Sequence, residues 1–301
     1  MKNQKSEVYI GIGLATLACI VWSGNFIAAR GVIKQLPPVS MAFYRWATAS
    51  AIMIPVAYRS FIAEKAIILQ HKQYFFWTAL TGVTLFNTIV YIAGHYSSAV
   101  NLALIGTTSS PVFSIILAAI FLGEKIKPLR IAGMLLCISG IIYLLARGSW
   151  ERLLALHFSA GDGIILLAAL FFSIYNILVR RKPAGVGNTN FLFTIFLLGT
   201  VLLSPWYAWE LIHSKPVVWN GSLFMVILYL GIGASVIAFF CWNGAIARLG
   251  AGRTSLFGNL IPIFASIEAV WLLQEQITPI HIISGILVIT GLVIANLRSA
   301  K

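Results

Sequence analysis

Of the eight acidic residues in this chain of 301, only Glu268 falls clearly inside a long apolar run. A carboxyl group in hydrocarbon is costly when charged, so one found there has a function, a partner or a route to water. A proton-coupled carrier needs an acid that takes up and releases a proton, and a cation site needs a negative ligand. The structural reading is a salt bridge to Arg45, the one basic residue within an apolar run. By the boundaries given below, both lie roughly 10 Å from the same membrane face, at about 1.5 Å rise per residue.

Neutral polar residues in apolar runs form a second set. Thr84, Asn87, Thr88, Tyr91 and His95 are spaced i, i+3, i+4, i+7 and i+11, which is one helical face. Such a face lines a solute path or bonds to a packed helix; Asn87 and Tyr91 are the candidates for lining. A shift of 151 residues gives Ser235, Ala238, Phe239, Trp242 and Ile246, a more aromatic face. Trp22, Asn25 and Phe26 share the i, i+3, i+4 spacing with Phe172, Tyr175 and Asn176, 150 residues later. An aromatic and an amide from each half suit an amphipathic pocket near the midplane; core packing with satisfied amides is the alternative. Substrate-binding candidates are therefore Trp22, Asn25, Asn87, Tyr91, Tyr175, Asn176 and Trp242. Pro111, within "TTSSP", and Pro262, after Asn259, remove backbone hydrogen bonds and predict bends that serve as hinges or as static kinks.

Catalytic and metal chemistry find no support. There is no H-E-x-x-H, no G-x-S-x-G, and only one aspartate, Asp162. Cys19, Cys137 and Cys241 lie in apolar runs without metal-ligand spacing and read as inert core thiols. The expectation is no enzyme, no metal and no cofactor.

The elements that hold these residues follow from composition. The chain is 59% hydrophobic and 10% charged, with a mean hydropathy of +0.92. Soluble domains are about 25% charged, so the solvent is lipid. Spans of about 20 residues are expected at 8–29, 38–58, 74–95, 99–122, 129–147, 162–180, 190–211, 221–243, 252–273 and 279–298. Pro38, Pro128 and Pro279 sit at predicted helix starts, where proline is tolerated. The net charge of +13 lies between apolar runs, which points to membrane topology and anionic headgroups rather than nucleic acid.

Residues 121–140, "FLGEKIKPLRIAGMLLCISG", return 151 residues later as "LLQEQITPIHIISGILVITG". Five spans per copy is an odd number, so the copies run in opposite directions across the membrane. With the N-terminus inside, fifteen Lys and Arg fall on inside segments and five on outside loops, which predicts both termini in the cytoplasm. Lys125, Lys127 and Arg130 of the inside loop become Gln276, Thr278 and His281 outside. Glu124 and Glu275 read as helix-start carboxylates. Gly133, Gly140, Gly285 and Gly291 read as close-packing positions.

The "LGE…P" segment, "WSGNF", "FYRW" and the prolines of the fourth and ninth spans resemble the EamA branch of the drug/metabolite transporter superfamily across essentially the whole chain. The second copy departs from the pattern with "LQE". The resemblance implies an all-α integral membrane protein of ten transmembrane helices in a 5+5 inverted repeat. Residues 1–147 and 162–301 would be the repeats, joined by an external linker at 148–161. It also implies alternating access and export of small organic metabolites such as amino acids. A proton-coupled exporter of lipophilic or cationic drugs is the alternative. The expected partners are a small-molecule substrate, the lipid bilayer and, in a coupled carrier, protons. The expected state is a monomer in the inner membrane.

Overall fold

A computed structural model describes residues 2–32, 35–96, 99–155, 160–273 and 277–296, with side chains left out within 2–5, 25–32, 99–103 and 269–273. All regular structure among them is helical. α1 (Lys2–Val32) and α2 (Pro38–Gln70) come first. α3 (Lys72–Ala79), a π-helical turn (Leu80–Leu85) and α4 (Phe86–Tyr96) run on from one another. α5 (Ala99–Leu122), α6 (Pro128–Leu145) and the short α7 (Trp150–Leu154) follow, then α8 (Ala160–Arg180) and α9 (Asn188–His213). α10 (Gly221–Leu228), a second π-helical turn (Tyr229–Ile237) and α11 (Ala238–Leu249) form another continuous rod. Last come α12 (Ala251–Thr254), a 3-10 turn (Ser255–Leu260), α13 (Ile261–Leu273) and α14 (Pro279–Asn296).

Eight segments among the described residues are long and apolar enough to cross a membrane. Apolar side chains such as Leu17, Val56, Ile120, Leu135, Ile286 and Val293 cover the outside, as a surface that meets hydrocarbon must. α2 and residues 251–273 fall outside the eight. α2 carries Ser40, Tyr44, Arg45 and Thr48 in its first turns, which lowers its hydropathy, and it continues past residue 58 to Gln70. Residues 251–273 are interrupted by the 3-10 turn. Pro262 has no N–H for the Gly258 carbonyl, and Ile261 N–H bonds that carbonyl instead. The bend expected there is thus a change of helix type. α5 runs as one helix through Pro111.

Proline opens α2, α6 and α14 as expected. α6 packs along α14, α2 along α9, α5 along α8 and α1 along α11. Each pair joins the first half of the chain to the second. A Cβ on Gly133 would overlap the Gly291 carbonyl, and one on Gly291 would overlap that of Gly133; the α6–α14 crossing is a backbone contact. A Cβ on the buried Gly285 would meet the Ile263 side chain at 4.0 Å, an ordinary contact.

α2 and α9 cap each other. Glu210, near the end of α9, accepts from Val39 N at 3.2 Å, Ser40 N at 2.6 Å and Ser40 Oγ at 2.7 Å at the start of α2. Glu64, near the end of α2, accepts from Gly187 N at 2.9 Å and Asn190 Nδ2 at 2.7 Å at the start of α9. Each carboxylate meets orphan amides at a positive dipole end. Glu124 pairs with Arg130 at 3.2 Å beside Gly250 and Gly252, where α12 begins. Glu275 lies outside the described residues.

Candidate functional site

The two π-helical turns sit at matching positions. Leu80–Leu85 shifted by 151 residues falls on 231–236, inside Tyr229–Ile237. A π turn inserts an extra residue and takes carbonyls out of the regular ladder, and such turns gather at functional sites. In the second turn the Ala234 carbonyl is used by two other helices. It accepts from Trp22 Nε1 at 2.9 Å and from Arg45 Nη2 at 2.8 Å.

That carbonyl joins two clusters. The first surrounds Arg45, which is 1% exposed. Its Nε donates to Ser235 Oγ at 2.7 Å, and its Nη1 donates to Asn87 Oδ1 at 2.9 Å and the Tyr91 hydroxyl at 3.0 Å. The guanidinium also lies 4.9 Å from the Trp46 ring centre. Ser235 in turn donates to Leu230 O at 2.8 Å. The π turn therefore sets the height of Ser235 and Ala234, and these fix the guanidinium plane.

The second cluster is aromatic. Trp22 lies 5.0 Å from Trp242, 5.6 Å from Phe239 and 5.8 Å from Phe172, centre to centre. Trp242 Nε1 donates to Asn176 Oδ1 at 2.9 Å, and Asn176 Nδ2 donates to Ser114 Oγ at 3.3 Å. The Tyr175 hydroxyl donates to Asn243 Oδ1 at 2.9 Å, and its ring packs on Gly82, where a Cβ would overlap it. Side chains from both halves thus meet here, their rings in contact with one another.

The structure brings Trp22, Tyr175, Asn176 and Trp242 together and sets Asn87 and Tyr91 against Arg45. Asn25 lies on α1 with its side chain outside the described residues. His95 is exposed at the end of α4. Residues that the spacing argument passed over include Phe239, Tyr229, Ser23 and the Ala234 carbonyl. Phe239 was visible on the shifted face of the second half; the carbonyl left no trace in residue type.

Glu268 and Arg45 do not form an ion pair among the described residues. Glu268 Oε1 lies 2.6 Å from Ser23 Oγ, and Ser23 Oγ lies 2.6 Å from Ile20 O. A hydroxyl has one proton. That single proton faces two acceptors, the carboxyl and the Ile20 carbonyl. Glu268 Oε2 is buried without a hydrogen-bond partner among the described residues. Beside it, the Tyr229 hydroxyl donates to Val21 O at 2.5 Å over Gly24, where a Cβ would overlap that hydroxyl. "WSGNF" thus supplies a ring, a hydroxyl and a gap in consecutive residues. No group of three or more metal-ligating side chains occurs among the described residues.

The EamA-like transporter family model matches residues 9–146 and again 159–297. An uncharacterized transporter of Archaeoglobus fulgidus is 27% identical over 291 residues, covering 95% of this chain and 96% of its own. A probable terminal-alkyne amino-acid exporter of Streptantibioticus cattleyicolor is 30% identical over 193 residues, covering 63% and 62%. A solved crystal structure superposes with a TM-score of 0.78 at 20% identity, covering 97% of this chain and 96% of that one. That similarity supports the helical fold alone. The chain belongs to the EamA-like transporter family. It is a multi-pass membrane transporter of small molecules.

Proposed function

We propose that this member of the EamA-like transporter family exports small organic metabolites of the amino-acid type by alternating access. The observation that carries the reading is the pair of linked clusters at Ala234. Aromatic rings from both halves adjoin a cation, amides and hydroxyls inside an apolar bundle. An amphipathic solute with one polar end and one apolar body fits that combination. The name of the Streptantibioticus cattleyicolor relative points the same way.

Trp22, Asn25, Asn87, Tyr91, Tyr175, Asn176 and Trp242 are the proposed substrate contacts. Ten spans in a 5+5 inverted repeat, residues 1–147 and 162–301 with an external linker at 148–161, are the proposed frame. The 151-residue offset, the charge lost from the second loop and the two π turns at that offset support it. Both termini are placed in the cytoplasm of a cell with the chain in its inner membrane, and the working unit is a monomer. Pro262, with its 3-10 turn, and Pro111 are the proposed hinges.

Glu268 is the proposed proton site, on the strength of the one-proton Ser23 hydroxyl between two acceptors. The buried, unpartnered Oε2 also favours a second reading, an exporter of lipophilic cations.

Flux of a labelled amino-acid mixture in proteoliposomes, with and without a pH gradient, tests this. Accumulation that collapses with the gradient is expected. Movement of labelled lipophilic cations with no movement of any amino acid would replace the first reading by the second.

A further inference from the structure

We infer that Arg45, Asn87 and Tyr91 form a binding site for an anionic group of the transported solute, specifically a carboxylate. The assignment deepens the transporter reading and rests on the linked clusters being the solute path.

Arg45 is a buried charge with no acid in ion-pair range among the described residues. Its four hydrogen-bond partners among the described residues, Ser235 Oγ, Asn87 Oδ1, the Tyr91 hydroxyl and Ala234 O, are all uncharged. A guanidinium inside a span is costly, and neutral acceptors offset only part of that cost. It has five N–H donors, and the four bonds leave one, on Nη2.

Two of its partners hold unused donors as well. Asn87 Oδ1 is occupied by Arg45, while Nδ2 is buried with no acceptor among the described residues. A buried donor left unpaired is costly, so Asn87 Nδ2 is available to a bound acceptor. The Tyr91 hydroxyl accepts from Arg45, which leaves its own proton to give. Ser235 contributes nothing further, since its proton goes to Leu230 O.

Around the cation, protons without an acceptor among the described residues therefore sit on Arg45 Nη2, Asn87 Nδ2 and the Tyr91 hydroxyl. A carboxylate, all acceptor, satisfies them. An ammonium brings only protons, and a primary amide brings one acceptor oxygen without the charge that strengthens each bond. Because Ala234 O also holds Trp22, the anion site borders the ring cluster, and an aryl or alkyl body attached to the carboxylate would lie against Trp22 and its neighbours.

The test uses 3-phenylpropanoate and 3-phenylpropanamide, equal in shape and different in charge, titrated against the purified chain by tryptophan fluorescence. The acid is expected to bind at least about tenfold tighter than the amide. Asn87→Asp keeps the acceptor facing Arg45 and adds a fixed carboxylate, so it should erase the preference. Tyr91→Phe, a milder change, should reduce it about threefold to tenfold. Equal affinities, binding of neither, or a preference that survives in both variants would overturn the site. Amino-acid flux is read separately. Flux with equal affinities sinks the anion site and leaves the exporter reading. Selective acid binding with no flux supports the site and sinks the exporter reading.

Discussion

At the first π-helical turn, Leu80–Leu85, the neighbours are neutral. Thr84 donates to the Gly199 carbonyl at 3.2 Å, and Gly82 lies under the Tyr175 ring. At the second, Tyr229–Ile237, Ser235 takes the place of Thr84 and accepts from a buried arginine. The residue 151 positions after Arg45 is Phe196, buried between Trp46 and Phe239. One backbone device therefore serves two ends. In the first half it lets helices pack; in the second it presents a carbonyl and a hydroxyl to a cation.

The comparison breaks most easily at its centre. Arg45→Leu strips donors from four acceptors, and a loss of about 3 kcal/mol or more is expected. Phe196→Leu at the matching position should cost about 1 kcal/mol. Thermal melts of both variants in detergent check the pair, and equal costs would remove the asymmetry. Glycines sharpen it next. Gly82→Val drives a side chain into the Tyr175 ring and should cost about 1–3 kcal/mol. A Cβ on Gly233, 151 residues on, would come no closer than 3.3 Å to the Tyr229 ring and 3.5 Å to the Val21 side chain, so Gly233→Val should cost clearly less in the same melts.

Glu268→Gln probes the acid found only in the second half, since its counterpart is Leu117. Gradient-driven accumulation should fall about tenfold while exchange without a gradient persists. Retained accumulation in the flux assay would reduce Glu268 to a packing residue. The smallest effect is expected from Thr84→Val, which removes one interhelical bond worth about 0.6 kcal/mol.

Much of this was legible in the chain. Apolar runs and opening prolines gave the helices; the shared i, i+3, i+4 spacing singled out Trp22, Tyr175 and Asn176, and the 151-residue shift singled out Trp242, which lies in the same cluster. Hydropathy misjudged α2, because a helix that leaves the apolar region, as α2 does after Tyr58, keeps its hydrogen bonds and continues to Gln70. The π turns were not legible, since one extra residue per turn needs no special composition. The Arg45 network was not either: its partners lie 42, 46, 189 and 190 residues away, and one is a backbone carbonyl. A salt bridge to Glu268 was the natural guess from two buried charges, and neutral acceptors closer to hand displaced it.

The measurement that goes straight to the centre is KM for counterflow of labelled L-phenylalanine in proteoliposomes holding Ser235→Ala or Thr84→Val. Ser235 orients Arg45, so its loss should raise KM about tenfold, while Thr84→Val should stay within about twofold of the unaltered chain. A larger shift from Thr84→Val, or equal shifts from both, would contradict a solute site at the second π turn.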